Sequence, residues 1–554
     1  MQKRYVIGID FGTLSGRCVL LDGRSGKQVA ETVCEYPHGV MSERMPNGAK
    51  LPPRYALQDP RDYLEVLRAT IPDALRQAGV SPAEVAGLGI DVTACTLLPV
   101  DERGTPLSFD ERYANDPHAY IKLWKHHGAQ PQADRVNALA AERREPWLAR
   151  YGGKISCEWA LPKILEVLEE SPAIFAAAHR FTEAADWLSL VLTGVETHSA
   201  PFAGYKALWS AEDGFPSDDF FKTLHPALGG IVGTKICDKV TPLTEKIAGT
   251  LNANGASLTG LLPGTPVALP LLDAHASLPA LGVTGEGEMV MIVGTSGVLM
   301  LNGKDRRDLP GICGYVKDGV IPGYYLYEAG QAAVGDIFDW YVSGHVPAAY
   351  TDEAARSGVG IHQLLCEKAE KLAPGESGLL ALDWQNGNRS VLMDADLSGM
   401  VLGLTLGTKP EELYRAWIEA TAYGARMIIE NFGQNGIPVE RIVVSGGIAK
   451  KNPMMMQIYA DVLGRDLHVS ACTQSGALGS AAFAAVAGGL YPDIREAARV
   501  FAAPVLRTYK PDAARHAAYE RLYAEYKTLH DYFGRGGNDV MKRLPTVSAP
   551  THSK

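Results

Sequence analysis

The sequence lacks the cysteine pairs and the long apolar runs of several protein classes. Its eight cysteines, at positions 18, 34, 95, 157, 237, 313, 366 and 472, include no CxxC pair and no Cys/His cluster at zinc-ligand spacing. This excludes zinc ribbons and disulfide scaffolds and predicts reduced thiols. Two uncharged segments, 247–272 and 467–490, are interrupted by Gly and Ser, and the first also by Pro and Asn, so neither is typical of a membrane span.

The sequence also lacks an excess of positive charge. Its 53 Lys and Arg face 63 Asp and Glu, which gives a net charge of −10 and argues against a protein that binds the phosphates of nucleic acid. The start of the chain, MQKRYVIGIDFG, has no apolar region or cleavage site of a signal peptide. We therefore expect a soluble cytoplasmic protein that binds neither nucleic acid nor a membrane.

The length and the pattern of the chain predict two α/β domains. A chain of 554 residues exceeds what one hydrophobic core usually supports. Apolar strands alternate with helical segments, which is typical of layered α/β folds. A stretch punctuated by Pro and Gly, 261–282, is expected to join the domains. We predict domains at 1–265 and 266–545, followed by a flexible tail at 546–554.

Several helices and strands follow from periodicity and turn residues. We expect helices near Asp59–Ala78, Pro117–His127, Glu158–Glu169 and Ala513–Phe533, and a strand at Val85–Thr93. A further strand, a Gly-Gly turn and a helix are expected in the segment that starts at residue 440.

Two hairpins of similar design open the two halves. The first, VIGIDFGTLSGRCVLLD, runs from Val6 to Asp22, and the second, EMVMIVGTSGVLMLNG, from Glu288 to Gly303. Glycine in such turns lets backbone N–H groups approach an anion, and Thr or Ser hydroxyls add donors. The Gly-Gly turn at 445–448 enters a helix, whose N-terminus favours phosphate. These turns predict a phosphate site, although each alone is also an ordinary strand connection.

An acid lies in the first apolar strand. Asp10 is tolerable there if Mg²⁺ lies between its carboxylate and the phosphates held by the turn. The GxxxxGK[ST] sequence of P-loop enzymes is absent, and so is the HRD/DFG set of protein kinases, because no HRD accompanies the DFG at 10–12. Asp10 is therefore a candidate metal ligand in another type of ATP site.

Four motifs together resemble the FGGY carbohydrate kinases of the actin-like ATPase superfamily. They are GIDFGT, DAHASLPALG, VGTSG and VSGGIAKKNP. GIDVTACTLLPVD, GYKALW and YLYEAGQAAVGDIFDW are similar to the branch that phosphorylates L-ribulose. The motifs span about residues 5–490. The resemblance implies an α/β fold of the actin-like ATPase type, with two ribonuclease-H-like domains, an interdomain cleft, sugar on the N-terminal side and ATP on the C-terminal side.

The resemblance also implies an activity. It is the ATP- and Mg²⁺-dependent conversion of L-ribulose to L-ribulose 5-phosphate in L-arabinose catabolism, by a homodimer. D-Ribulose or another pentulose or pentitol is an alternative substrate, because the sequence does not reveal which configuration of a substrate hydroxyl the pocket prefers. An alternative of another class is an actin-like clamp that is gated by ATP and phosphorylates no sugar.

The resemblance assigns the sugar site. Asp273 matches the general base and also contacts the sugar, together with Trp124, Lys206, Glu328 and the backbone of Ala94. A polyol needs a carboxylate acceptor, a cationic donor and an apolar wall, which this set supplies. From the residues alone, Asp273 fits a helix N-cap equally well, Trp124 fits a core residue and Lys206 a surface lysine.

The nucleotide site draws on all three turns. The residues assigned to ATP are Thr13, Ser15, Gly294, Thr295, Ser296, Gly446, Gly447 and Asn452. Leu14 departs from the polar residue that many family members have in the first turn, which puts one phosphate contact in doubt. A metal site at His118, His126 and His127 is disfavoured, because adjacent residues of the expected helix point about 100° apart.

Overall fold

A computed structural model describes residues 4–547. The predicted tail, 546–554, lies outside the described residues apart from its first two, which end the last helix. Among the described residues, no helix is both long and apolar enough to cross a membrane.

The first half of the described chain forms a seven-stranded sheet. Its strands and those of smaller sheets nearby are β1 (Tyr5–Phe11), β2 (Ser15–Asp22), β3 (Gln28–Glu35), β4 (Leu57–Gln58), β5 (Val85–Val92), β6 (Leu97–Val100), β7 (Ile121–Lys122), β8 (Arg180–Glu183), β9 (His198–Ser199), β10 (Val240–Thr241), β11 (Ile247–Thr250), β12 (Pro266–Ala268) and β13 (Leu271–Leu272). The sheet order is β11-β12-β5-β1-β2-β3, and β13 also pairs with β5. The first sheet therefore continues past the predicted boundary at 265/266.

The second half repeats this design. Its strands are β14 (Glu288–Val293), β15 (Gly297–Gly303), β16 (Gly314–Lys317), β17 (Tyr325–Gln331), β18 (Leu380–Leu382), β19 (Met400–Leu402), β20 (Arg441–Ser445), β21 (Leu467–Ser470) and β22 (Val505–Tyr509). Seven of them form a sheet in the order β16-β17-β15-β14-β20-β21-β22. In each sheet a hairpin, β1-β2 or β14-β15, has a parallel strand on its other side.

Helices cover both sheets. They are α1 (Pro60–Ala78), α2 (Gln130–Arg143), α3 (Trp147–Arg150), α4 (Ala160–Glu170), α5 (Pro172–Ala177), α6 (Ala184–Thr193), α7 (Ala200–Lys206), α8 (Asp218–Leu224), α9 (Ile231–Thr234), α10 (Ala253–Thr259), α11 (Asp273–Ala280), α12 (Gly335–Gly344), α13 (Ala348–Ser357), α14 (Ile361–Ala369), α15 (Pro410–Gln434), α16 (Gly447–Lys451), α17 (Pro453–Leu463), α18 (Ser475–Ala487), α19 (Ile494–Phe501), α20 (Ala513–Gly534) and α21 (Val540–Val547).

Helix α18 of the second half packs directly on the first sheet. A Cβ at Gly8 would lie 1.9 Å from the carbonyl oxygen of Ala477, and one at Gly89 would lie 2.0 Å from that of Ser480. Glycine on β1 and β5 therefore lets the helix backbone approach the strands closely. The resulting core is shared by both halves of the chain, and it fixes the base of the cleft between them.

Most of the predicted elements are confirmed. Both hairpins form, and α1 begins after the predicted residue Asp59, whose side chain accepts the N–H of Arg61. The helix expected at Pro117–His127 is wrong. Pro117–Ala119 is a 3₁₀ turn and is followed by β7 and further turns, because β7 pairs with β4 and β6 and its Lys122 forms an ion pair with Glu166 of α4.

Candidate active site

Three polar side chains from both halves meet between the sheets. Lys206 ends α7, Glu328 lies on β17, and His275 lies in the first turn of α11. The Lys206 Nζ lies 3.6 Å from Glu328 Oε1, and the other carboxylate oxygen lies 2.7 Å from His275 Nε2. The structure thus brings the predicted sugar residues Lys206 and Glu328 together.

Lys206 and Glu328 stabilise each other's charged form. Burial works against ionisation, but Lys206 and then His275 lower the pKa of the Glu328 carboxyl well below its usual range. The same Glu328 charge raises the pKa of Lys206 despite burial. Both groups are therefore charged at neutral pH and form a fixed donor and acceptor pair for a polar ligand.

Asp273 lies beside this pair, at the first residue of α11. Its Oδ1 accepts the backbone N–H of Ala274 at 2.7 Å. Burial, and then the charge of Asp10, raise the pKa of Asp273 to about 7. The N-cap of α11 is Leu272, so Asp273 lies one residue inside the helix. A carboxyl with this pKa is half ionised at neutral pH and is suited to accept a proton.

Asp10 faces a second buried carboxyl across two parallel strands. In the register of β1 and β5, Asp10 pairs with Asp91. One oxygen of Asp91 accepts the Ser480 hydroxyl at 2.6 Å, whereas the other is buried without a partner among the described residues. Burial raises both pKa values, and the charge of Asp10 raises that of Asp91 further.

This pair fits a divalent cation. Two close carboxyls, one with an orphaned oxygen, are destabilised as anions unless positive charge lies between them. The described residues contain no group of three or more acidic, His or Cys side chains that could hold a metal. Mg²⁺ needs only one or two carboxylates when phosphates and water supply its other ligands.

The predicted sugar wall contacts the first phosphate turn. The Trp124 indole N–H donates to the Thr13 hydroxyl at 3.1 Å. The neighbouring Gln58 amide donates to the Thr13 carbonyl at 2.7 Å. Ser15 closes the turn by accepting the Gly12 N–H at 3.0 Å, and Leu14 points outward with 61% of its surface exposed.

A buried lysine organises the loops next to Ala94 and Trp124. Lys163 of α4 donates to the carbonyls of Cys95 at 2.5 Å and Leu123 at 2.9 Å. Cys95 has a left-handed φ of 55°, which turns the chain sharply after Ala94. Lys163 therefore holds together the two segments from which the sugar contacts are predicted.

The second hairpin and the Gly-Gly turn lie side by side. A Cβ at Gly446, whose φ is 114°, would lie 2.1 Å from the carbonyl oxygen of Val293. The carbonyls of Gly294 and Thr295 accept N–H groups from the start of α12. Gly447 opens α16, and a Cβ there would meet no atom within 4 Å. The two turns therefore lie around the N-terminus of α16, which is accessible.

The remaining predicted nucleotide residues differ in exposure and in whether their side chains already make hydrogen bonds. Thr295 is exposed and Ser296 is half-buried in the same turn. The Asn452 side-chain Oδ1 accepts the N–H of Met455 and caps α17, while its Nδ2 donates to the sulfur of Cys366 at 3.2 Å. Asn452 thus separates α16 from α17, where the sequence predicted one helix.

Three groups near the predicted residues were missed by sequence reasoning. They are Asp91, His275 and Lys163, whose contacts are given above. Asp91 had a usable signal, since GIDVT repeats the GID of the first strand. The others depend on long-range packing, which leaves no local pattern.

The histidines near residue 120 belong to a buried ion-pair network. His126 Nε2 lies 2.9 Å from Glu166 Oε2, which also pairs with Lys122 Nζ at 2.7 Å. Burial, and then the charge of Lys122, lower the pKa of His126 to about 3, so this histidine is neutral. The network holds the loop that carries Trp124.

Comparisons with known proteins show the family of the chain. Residues 5–280 match the N-terminal domain of the FGGY family of carbohydrate kinases, and residues 289–488 match its C-terminal domain. The chain belongs to the FGGY family of carbohydrate kinases. The predicted resemblance and the actin-like, two-domain fold are confirmed, and the FGGY kinases use ATP with Mg²⁺.

Individual FGGY relatives cover nearly the whole chain. A protein named ribulokinase from Bacillus licheniformis is 53% identical over 96% of this chain and 97% of its own length. Another from Geobacillus thermodenitrificans is 50% identical over 98% and 97%. The crystal structure of xylulose kinase from Rhodospirillum rubrum has a TM-score of 0.79 and 24% identity, and covers 95% of this chain and 98% of its own. Membership in a sugar kinase family argues against the ATP-gated clamp.

Proposed function

We propose that this kinase transfers the γ-phosphoryl group of ATP to the 5-hydroxyl of L-ribulose, with Asp273 as general base. One observation carries the proposal: a half-buried carboxyl with a pKa of about 7 lies next to the Lys206–Glu328 ion pair. The full-length relatives that are named ribulokinase support the choice of ribulose.

The sugar residues come from both halves of the chain, whereas most of the ATP residues come from the second half. Lys206 donates to sugar hydroxyls, Glu328 accepts from them, and Trp124 and the Ala94 backbone form the wall of the pocket. The second hairpin and the Gly-Gly turn hold ATP, and Thr13 and Ser15 approach its phosphates from the first half. We place the boundary between the sugar-side and ATP-side domains near the end of segment 261–282. The reason is that β12 and β13, within this segment, still pair with β5 of the first sheet.

Asp10 and Asp91 are the residues that would hold Mg²⁺, directly or through water. The ion spreads the negative charge of the transferring phosphoryl group. The orphaned Asp91 oxygen and the raised pKa of both carboxyls support this assignment. Ser480 fixes the orientation of Asp91 from the other side.

The proton follows a short path. Asp273 in its ionised form accepts the proton of the 5-hydroxyl as that oxygen attacks the γ-phosphorus in line with the leaving ADP. The N–H of Ala274 holds the carboxylate in place. Packing of the two halves around the sugar excludes water, so that ATP is not hydrolysed without substrate.

The test is ADP release by the purified protein with Mg·ATP. The panel contains L-ribulose, D-ribulose, D-xylulose, ribitol, glycerol and buffer without sugar, with Asp273→Asn alongside. Strong stimulation by L-ribulose that disappears in this variant supports substrate and base together. Asp461→Asn is the control, because Asp461 is a buried carboxylate that pairs with Arg515 in another part of the chain.

The other outcomes separate the alternatives. Stimulation by a different pentulose or pentitol would support the kinase activity but change the assigned substrate. Hydrolysis that is equal with every sugar would contradict the proposal.

We also propose a cytoplasmic homodimer. All eight cysteines are free thiols in the structure, which supports a reducing compartment. Leu402, Leu404 and Leu406 are exposed along and after β19, and β19 pairs only with β18 among the described residues. A second copy covering this face would bury them. Light scattering of the wild-type protein should give twice the mass of the chain. The Leu404→Glu variant should give the mass of a single chain.

A further inference from the structure

Helix α4 has one buried face that carries two ionisable side chains. Trp159 is the N-cap of the helix, and Lys163 and Glu166 follow at intervals of four and three residues, which is the spacing of a single helix face. Their exposed fractions are 5%, 0% and 0%. Lys and Glu are rarely buried to this extent without specific partners, so the partners of this face show what it does.

Two of these side chains contact parts of the proposed sugar site. The Lys206 Nζ lies 5.6 Å from the centre of the Trp159 ring, which is a cation–π distance. Glu166 pairs with the Nζ of Lys122 at 2.7 Å, two residues before Trp124. The face of α4 therefore contacts the cation of the pocket and the loop that carries its aromatic wall.

Lys163 makes three hydrogen bonds between the other two. Its Nζ donates to the carbonyls of Cys95 at 2.5 Å, Leu123 at 2.9 Å and Lys122 at 3.3 Å. An ammonium group has three N–H donors and a neutral amine only two, so the charged form alone satisfies all three acceptors. A buried cation is costly, and here carbonyls from two loops stabilise it.

The two loops are those next to the predicted sugar contacts. Ala94 precedes Cys95, whose left-handed φ of 55° turns the chain, and Leu123 precedes Trp124. Strand pairing joins these loops weakly, because β6 and β7 pair at a single pair of residues. The Lys163 ammonium adds three hydrogen bonds that converge on one atom from both loops.

We infer that Lys163 is a positioning residue of the sugar pocket, which fixes the backbone of Ala94 relative to the ring of Trp124 and so sets the affinity for the sugar. The inference rests on the proposed function, in which both groups contact the sugar. Lys163 has no exposed surface, so it acts through these two groups and does not touch the substrate. A displacement of about 1 Å in such groups can cost about 10²-fold.

Lys163→Met tests the inference, because methionine keeps the apolar stem and removes all three donors. KM for L-ribulose should rise about 10- to 100-fold, and kcat should fall by a smaller factor, since Asp273 is unchanged. KM for Mg·ATP should stay within about twofold, because the Gly-Gly turn and the second hairpin lie elsewhere. Lys163→Arg keeps the charge but replaces the compact ammonium by a planar fork, and should give an intermediate KM for L-ribulose.

Lys235→Met is the matched control. The Lys235 ammonium also donates to three carbonyls, those of Phe175, Ala176 and Ala178, but they lie at the end of α5 and are next to no predicted substrate contact. Both Met variants should lower the melting temperature, since each leaves carbonyls without a partner. Lys235→Met should nevertheless leave KM for L-ribulose within about twofold of the wild-type value.

Three results would overturn the inference. They are an unchanged KM for L-ribulose in folded Lys163→Met, an equal rise of KM for L-ribulose and for Mg·ATP, or an equal rise of KM for L-ribulose in both Met variants. The last two would show a general loosening of the fold. If Lys163→Met does not fold, Lys163→Gln, which keeps two N–H donors, decides by the same measurements.

Calorimetric binding of L-ribulose separates this inference from the proposed function. If the wild-type protein prefers another sugar of the panel, that sugar replaces L-ribulose in the kinetics and in the calorimetry. A wild-type protein that binds L-ribulose without phosphorylating it would contradict the proposed function alone. Weaker binding by Lys163→Met than by Lys235→Met would then still support the inference, and equal binding would overturn it.

Discussion

The two hairpins share one backbone design and differ in their side chains. In each sheet, the first strand of the hairpin pairs in parallel with a later strand, β1 with β5 and β14 with β20. Two residues before the Gly-Thr turn, the first hairpin places Asp10 opposite Asp91. The second hairpin places Ile292 opposite Ser445 at the same position.

The difference shows what the shared fold does and does not provide. Both copies supply a turn whose backbone can approach phosphate. The pair of carboxyls, half-buried Asp10 and buried Asp91, occurs only in the first. The second copy instead has Gly446 in a conformation that brings the Gly-Gly turn onto Val293. Metal and proton chemistry are therefore assigned to the first half and nucleotide binding to the second.

The strongest test of this division is Asp273→Asn, which removes the proposed base next to the first sheet. We expect kcat to fall by about 10² to 10⁴-fold, with KM for Mg·ATP little changed, because the nucleotide contacts lie in the other half. Steady-state kinetics measures both. A fall of less than tenfold would mean that Asp273 is a structural residue of α11.

Asp10→Asn tests the difference between the equivalent positions of the two hairpins, Asp10 and Ile292. It should raise the Mg²⁺ concentration needed for half-maximal rate by about 10- to 100-fold and leave the fold intact. Ser445→Ala in the second hairpin's partner strand is the matched control and should change it less than twofold. Full turnover of Asp10→Asn at limiting Mg²⁺ would show that the first half holds no metal.

Gly446→Ala tests the second half. The new Cβ would meet the carbonyl oxygen of Val293 at 2.1 Å and would require a φ of 114°, so we expect a cost of about 1–3 kcal/mol in unfolding free energy. KM for ATP should rise about tenfold. Gly433→Ala, in open space on α15, is the control and should change neither. Equal effects of the two variants in thermal melts and kinetics would contradict the assignment.

Thr13→Val should have the smallest effect. It removes the acceptor of the Trp124 indole N–H, a hydrogen bond worth about 0.5–1.5 kcal/mol. We expect a two- to tenfold rise in KM for L-ribulose, because the sugar wall loses its link to the phosphate turn. Thr13→Ser keeps the hydroxyl and should restore the wild-type value.

Local patterns were enough for much of the fold. Apolar runs around Gly-Thr turns predicted both hairpins, and the helix expected near Asp59–Ala78 agrees with α1. They were not enough for the pairing of Asp10 with Asp91, which depends on the register of two strands 80 residues apart in sequence.

The wrong helix at Pro117–His127 shows the same limit. Its spacing of apolar and basic residues fits a helix, but Lys122 and His126 are fixed by Glu166 on α4. A buried ion pair with a distant helix outweighs a weak local preference. The residues of the proposed sugar site in this loop were therefore predicted by resemblance and not by secondary structure.

The most direct test of the account is the pH dependence of kcat/KM for L-ribulose. The Asp273 pKa of about 7 means that the base is protonated, and inactive, below that pH. We predict a decline of about tenfold per pH unit below pH 7, and no such decline in the residual activity of Asp273→Asn. A wild-type profile that stays flat to pH 5.5 would contradict the assignment of Asp273 as general base.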